Sequence, residues 1–150
     1  MTDDQQQAIH SFFKSLDRLK ELRVIRSDVI FGDIGEFLCT IVFEGLTLVN
    51  EKTKGGFDAW HEGKKVQIKF SDSSDAKNID LGSPSQYEIL IVVLGRKSVH
   101  RMSGDTDYDY LFYKFSSIEV IEKFKVESGY KLSKTKHFKM SEKQYNIEIK

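Results

Sequence analysis

The stretch from Gly55 to Phe70 leaves little choice of local structure. Phe57 and Ala59 before Glu62-Gly63, and Val66, Ile68 and Phe70 after it, are apolar at alternate positions. A period of two around a turn signal predicts a β-hairpin. A slip of one residue would send every apolar side chain to the wrong face, so the register is tightly constrained. With Glu62-Gly63 as a two-residue loop, His61 opposes Lys64, Trp60 opposes Lys65, Ala59 opposes Val66 and Asp58 opposes Gln67. Opposed residues point to the same side of a sheet. Asp58, Gln67 and Lys69 therefore gather on one face, with the apolar residues on the other. An acid, an amide and an ammonium form an odd set to build on a strand pair for stability alone.

The surrounding chain supplies the layers such a hairpin needs. Ile9, Phe12, Phe13, Leu16, Leu19 and Leu22 recur at helical spacing and predict an amphipathic helix from about Asp4 to Leu22. Its stripe suits packing on the core or a homodimer seam. A second helix is expected from about Asp28 to Glu44, ended by Gly45. Within it, Gly32 and Gly35 suggest close approach of another backbone. Glu36 has two readings, as the far end of a capping box opened by Asp33 or as a metal ligand. Leu46–Val49 resembles a short strand, and Asn50–Gly56 a polar loop. Ser71–Gln86 is rich in Ser, Asp and Gly and reads as a long loop, either solvated or touching substrate. Tyr87–Leu94 is the most apolar run and predicts a central strand buried on both faces. Leu111–Phe115 is a further strand, followed by a helix capped by Ser116 or Ser117.

Asp58, the hairpin and then Gln67-Ile68-Lys69 resemble the core motif of the PD-(D/E)xK nuclease superfamily, in the variant form with Gln at the acidic position. Glu36 on the upstream helix is similar to that superfamily's first-helix Glu. The likeness spans roughly residues 28–95, and Phe57 stands where the family has Pro. It implies an α/β, restriction-endonuclease-like sandwich with a mixed central β-sheet flanked by helices. A single domain of residues 1–150 would then comprise an N-terminal helical extension (1–27), a core (28–125) and a basic C-terminal segment (126–150). The implied activity is divalent-metal-dependent endonuclease hydrolysis of phosphodiester bonds, with DNA as the expected substrate and Mg²⁺ as cofactor, Mn²⁺ substituting. Asp58 would be the main metal ligand, joined by the Gln67 amide oxygen, the Ile68 carbonyl and Glu36, directly or through water. Lys69 would orient or activate water and steady the phosphate. Two other readings stand beside this one. The first is a catalytically inactive module of the same fold that binds nucleic acid or a protein. The second is an ordinary domain in which Asp58–Lys69 is a surface ion pair.

Composition narrows the partners. At 150 residues, 39% apolar and 31% charged, the chain suits one globular domain. Its formal net charge is zero, so any nucleic-acid contact must rest on local patches. One such patch is Lys131, Lys134, Lys136 and Lys139, interleaved with Tyr130 and Phe138. These residues suit either a phosphate backbone or a charged edge strand that resists aggregation. The single Cys39 excludes an internal disulfide and reads as a small core residue, with a catalytic thiol as the alternative. Asp105, Asp107 and Asp109 invite a calcium reading, but the glycine and distal Glu of an EF-hand loop are missing, which favours a solvated turn. No apolar run is long enough for a membrane span and the first residues are acidic, so a cytoplasmic protein is the expectation.

Overall fold

A computed structural model describes residues 2–26, 30–50, 56–102, 107–133 and 143–145. In chain order the elements are α1 (Asp3–Glu21), α2 (Ile30–Val42), β1 (Thr47–Leu48), β2 (Ala59–His61), β3 (Lys64–Ser71), β4 (Asn78–Asp80), β5 (Ile89–Leu94), β6 (Tyr110–Ser116), α3 (Ser117–Phe124), β7 (Lys125–Val126), β8 (Gly129–Ser133) and β9 (Lys143–Tyr145). The architecture is mixed α/β. One sheet has the order β1-β2-β3-β5-β6-β9, and a second, three-stranded sheet has the order β4-β8-β7. Among the described strands only β3 and β5 run parallel; the other neighbours are antiparallel.

The hairpin register is the one the alternation requires. Ala59 opposes Val66, Trp60 opposes Lys65 and His61 opposes Lys64. Glu62 and Gly63 both adopt positive φ, 52° and 74°, as a type I′ turn demands. Beside the hairpin, β5 is buried at every position. Its odd-numbered side chains, Ile89, Ile91 and Val93, meet Leu38, Cys39 and Phe43 of the α2 layer. Its even-numbered ones, Leu90, Val92 and Leu94, meet Val120 and Phe124 of α3 together with Ile79 and Leu132 of the small sheet. The large sheet thus lies between two apolar cores, and β5 belongs to both.

Several expectations need correction. The Ser71–Gln86 stretch is not all loop, since β3 runs through Ser71 and β4 lies within it. β4 offers one apolar residue, Ile79, between exposed Asn78 and Asp80. It is a strand because it pairs with β8, far along the chain. Gly35 makes room for a side chain rather than a backbone; a Cβ there would lie 2.8 Å from Phe70 Cβ. Asp33 sits inside α2, which begins at Ile30, and so is not its N-cap. The cap of α3 is Ser116, one of the two serines expected there, in a complete capping box with Glu119, worth about 1 kcal/mol. Among the described elements, α1 packs closely on none. Leu16 and Leu19 are half-buried and Leu22 is exposed, while the side chains of Ile9, Phe12 and Phe13 lie outside the described residues. Asp105 also lies outside them, and Asp109 forms an ion pair with Arg96 instead of standing in solvent. No helix among the described residues is long and apolar enough to cross a membrane.

Candidate functional site

Asp58 stands just before β2, where the hairpin strands part. Its backbone is held from both sides: its N–H donates to the Val66 carbonyl at 2.8 Å, and its carbonyl accepts from Val49 N–H at 3.0 Å. Beyond the Ala59–Val66 pair the ladder stops, and the Asp58 carboxylate takes over. Its Oδ2 accepts the Ile68 N–H at 2.8 Å. The Gln67 side-chain amide donates to that same Oδ2. The Gln67 nitrogen also reaches the Ile68 carbonyl at 3.4 Å. A single N–H₂ donor therefore sits where the Asp58 carboxylate and the Ile68 carbonyl converge.

This geometry tests whether the residues suit a divalent cation. Two oxygens already face one point, now filled by the positive end of an amide dipole. A half-turn of the Gln67 amide would exchange that nitrogen for Oε1 and present three oxygens to the same region. Mg²⁺ takes oxygen ligands, keeps several waters and commonly uses one or two carboxylates. The donor set suits such an ion. Among the described residues no three His, Cys, Asp or Glu side chains form a metal cluster; the oxygens at this point are one carboxylate, one carbonyl and, after that turn, one amide.

Glu36 is placed differently. It is buried on α2, and its Oε2 accepts from Arg26 Nη2 at 2.5 Å. Arg26 is a hub, because its backbone N–H donates to Asp33 Oδ2 at 2.7 Å and its Nη1 to the Val49 carbonyl at 2.6 Å. The capping-box reading of Glu36 is thereby replaced by an ion pair that anchors the chain before α2. Burial pushes the Cys39 thiol up, and the charges of Glu36 and then Asp58 add to that. Cys39 is fully buried in the α2 core, as a small apolar residue would be.

Lys69 lies two residues beyond Gln67 on β3. Val66, Ile68 and Phe70 pack toward α2, so alternation puts Gln67 and Lys69 on the opposite face. Asp58 precedes β2 and meets Gln67 through the amide hydrogen bond rather than through alternation, which breaks here: Phe57, expected on the Ala59 face, packs against the other core beside Trp60. Lys69 lines a cleft of about 630 Å³ with Phe31, Phe70, Ser71, Asp72, Ser73, Asn78, Asp80 and Lys97. The cleft opens where the parallel strands β3 and β5 end, which is where open α/β sheets tend to bind ligands. Lys69 has no ion-pair or hydrogen-bond partner among the described residues. That removes the reading of Asp58–Lys69 as a surface ion pair.

Lys131 is in β8, the middle strand of the small sheet, with Asp80 opposite it. It is therefore not an edge-strand residue. Lys134, Lys136 and Lys139 lie outside the described residues. Sequence reasoning missed Arg26 and Phe31 as parts of this region, whereas Asp72 fell in the stretch read as either solvated or touching substrate. Asp72 Oδ1 accepts from Lys97 N–H at 2.7 Å and ties the end of β3 to the turn after β5. The Ser/Asp-rich composition was the one local signal for Asp72; nothing in sequence spacing links Arg26 to Glu36.

No protein-family model matches the chain, and no curated protein matches it in sequence.

Proposed function

We propose that this chain is a divalent-metal-dependent nuclease of restriction-endonuclease-like fold, hydrolysing phosphodiester bonds, with DNA as its substrate. The observation that carries the reading is the convergence of the Asp58 carboxylate and the Ile68 carbonyl on one point, reached also by the Gln67 amide. Lys69 follows on the same face at the mouth of a cleft. Asp58, the Ile68 carbonyl and the Gln67 amide oxygen would hold Mg²⁺ or Mn²⁺, with Glu36 contributing through water after loosening from Arg26. The cation, when bound, would supply charge neutralisation at the phosphate and a more acidic water. Lys69 would do its work directly: an ammonium without a partner is free to face a phosphate oxygen and to stabilise the charge that grows there. The neutral Gln67 leaves one fewer negative charge than a second carboxylate, so affinity for the cation should depend partly on the substrate phosphate. The setting we assign is cytoplasmic, and α1 is the surface we assign to docking of a second copy.

One observation favours a second reading. The Gln67 amide satisfies the Asp58 carboxylate without any cation, as expected of an inactive module that only binds nucleic acid. Cleavage assays on single- and double-stranded DNA and on RNA, with Mg²⁺ or Mn²⁺, separate the two. In a nuclease, Asp58→Asn abolishes cleavage, and Lys69→Ala abolishes it while sparing metal binding. Gln67→Glu raises metal affinity and retains activity. Wild-type protein that cleaves none of these substrates with either metal leaves the binding module as the function.

A further inference from the structure

We propose that the cleft beyond Lys69 seats an unpaired base together with its phosphate, so that this chain engages single-stranded rather than duplex nucleic acid. The inference rests on the nucleic-acid reading above and names the form of the substrate.

Phe31 is the first observation. It lies in the first turn of α2, is 67% exposed and lines the cleft. An exposed aromatic of this kind is usually loosely held, but Phe31 is braced. Its ring is parallel to that of Phe70, 2° apart in plane with centroids at 6.2 Å, and Phe70 in turn rests on Tyr110 at 6.3 Å. A supported ring with an open side is a stacking platform, and every base has a face that fits one.

Charge is the second observation. Lys69 and Lys97 both line the cleft, and neither ammonium has a partner among the described residues. The two carboxylates of the same lining are turned to backbone donors, Asp72 to Lys97 N–H at 2.7 Å and Asp80 to Gly82 N–H at 2.9 Å. Two lysines against two aspartates leave the lining formally neutral, so a bare anion gains little there. A nucleotide gains from both a ring and a phosphate. A cavity of about 630 Å³ falls in the range of roughly 300–1,000 Å³ typical of ligand clefts. In a duplex the base faces are hidden in the stack and would have to be extruded to reach Phe31.

The test is fluorescence anisotropy with a labelled oligothymidylate and a blunt duplex of equal length, in EDTA so that metal plays no part. Wild-type protein should bind the single strand about tenfold more tightly than the duplex. Phe31→Ala, at an exposed position, should remove about tenfold of that affinity, and Phe31→Trp should restore it. Lys97→Ala should lower the salt dependence by about one phosphate contact. Equal binding of the two probes, no binding of either, or a Phe31→Ala protein indistinguishable from wild type would overturn the proposal. If the last result came with cleavage that Asp58→Asn abolishes, the nuclease reading would survive alone. Phe31-dependent binding by a protein that cleaves nothing would give the reverse.

Discussion

Gln67 controls what Asp58 can do. An amide can either donate or accept, so it can satisfy the carboxylate by itself or turn and share a cation with it. A glutamate could only accept, and it would place two anions side by side unless a metal came between them. In the nuclease we propose, the position would therefore tune the site rather than merely complete it. Cys39, one layer away, is the opposite kind of residue. It is fully buried, and burial with the Glu36 and Asp58 charges holds its thiol protonated well above the usual range. A thiol must be ionised and reachable to react. We therefore expect no measurable modification of Cys39 by a thiol-specific disulfide reagent in the folded protein at about pH 8, and full modification after denaturation. Rapid modification of the native protein would revive the catalytic-thiol reading.

At the scale of elements, the joint between α2 and β3 matters most, because it links the helix carrying Phe31 and Glu36 to the strand carrying Gln67 and Lys69. Gly35 sets the spacing of that joint. A Cβ at Gly35 would meet Phe70 Cβ at 2.8 Å, an atom fixed to the strand rather than the loose end of a side chain. Gly35→Ala should gain about 0.5–1 kcal/mol of helix propensity and lose about 1–3 kcal/mol to overpacking. The expected net result is destabilisation by up to about 2.5 kcal/mol, read as a lower urea midpoint with an unchanged slope. Because Phe70 is also the support beneath Phe31, the same change should disturb the cleft. A Gly35→Ala protein more stable than wild type would show that the joint has slack. The hairpin at this scale was legible in advance, since alternation and Glu62-Gly63 specify its register from neighbouring residues. β4 was not, because a strand with one apolar residue is made by its partner.

Across the whole molecule, the two cores on either side of the large sheet each bury a group that resists ionisation. Cys39 is in the α2 core, and Tyr87 is in the core beneath α3 and the small sheet. Burial raises Tyr87, with Tyr130 and Asp80 adding to it, and its hydroxyl donates to the Leu81 carbonyl at 3.0 Å. Burial likewise raises Tyr110, with Asp109 and Asp72 adding and Arg96 opposing. In the unfolded chain these groups lose their protons from about pH 8.5 for Cys and about pH 10 for Tyr. Above those values the folded chain holds more protons than the unfolded one, so stability falls as pH rises; below them the contribution is constant. The thermal midpoint should stay level with respect to these groups up to about pH 8.5 and then decline, less steeply in a Tyr87→Phe variant. A midpoint that stays level to about pH 11 would contradict the burial of these groups.

What sequence alone determined here is local. The hairpin register, the doubly buried β5, the capped α3 and the shared face of Gln67 and Lys69 all follow from spacing between near neighbours, because side-chain direction in a strand or helix is set by the backbone's own period. Tertiary structure decided which distant residues meet. Arg26 reaches Glu36 and Val49, β8 makes a strand of Asn78–Asp80, and Phe31 leans on Phe70 beside Lys97. Those contacts join segments far apart in the chain, and packing around β5 selects among them. The shared face of Gln67 and Lys69 and the pairing of Asp58 with Gln67 could therefore be read from the chain. The ion pair that holds Glu36 and the cleft that faces Lys69 required the assembled layers.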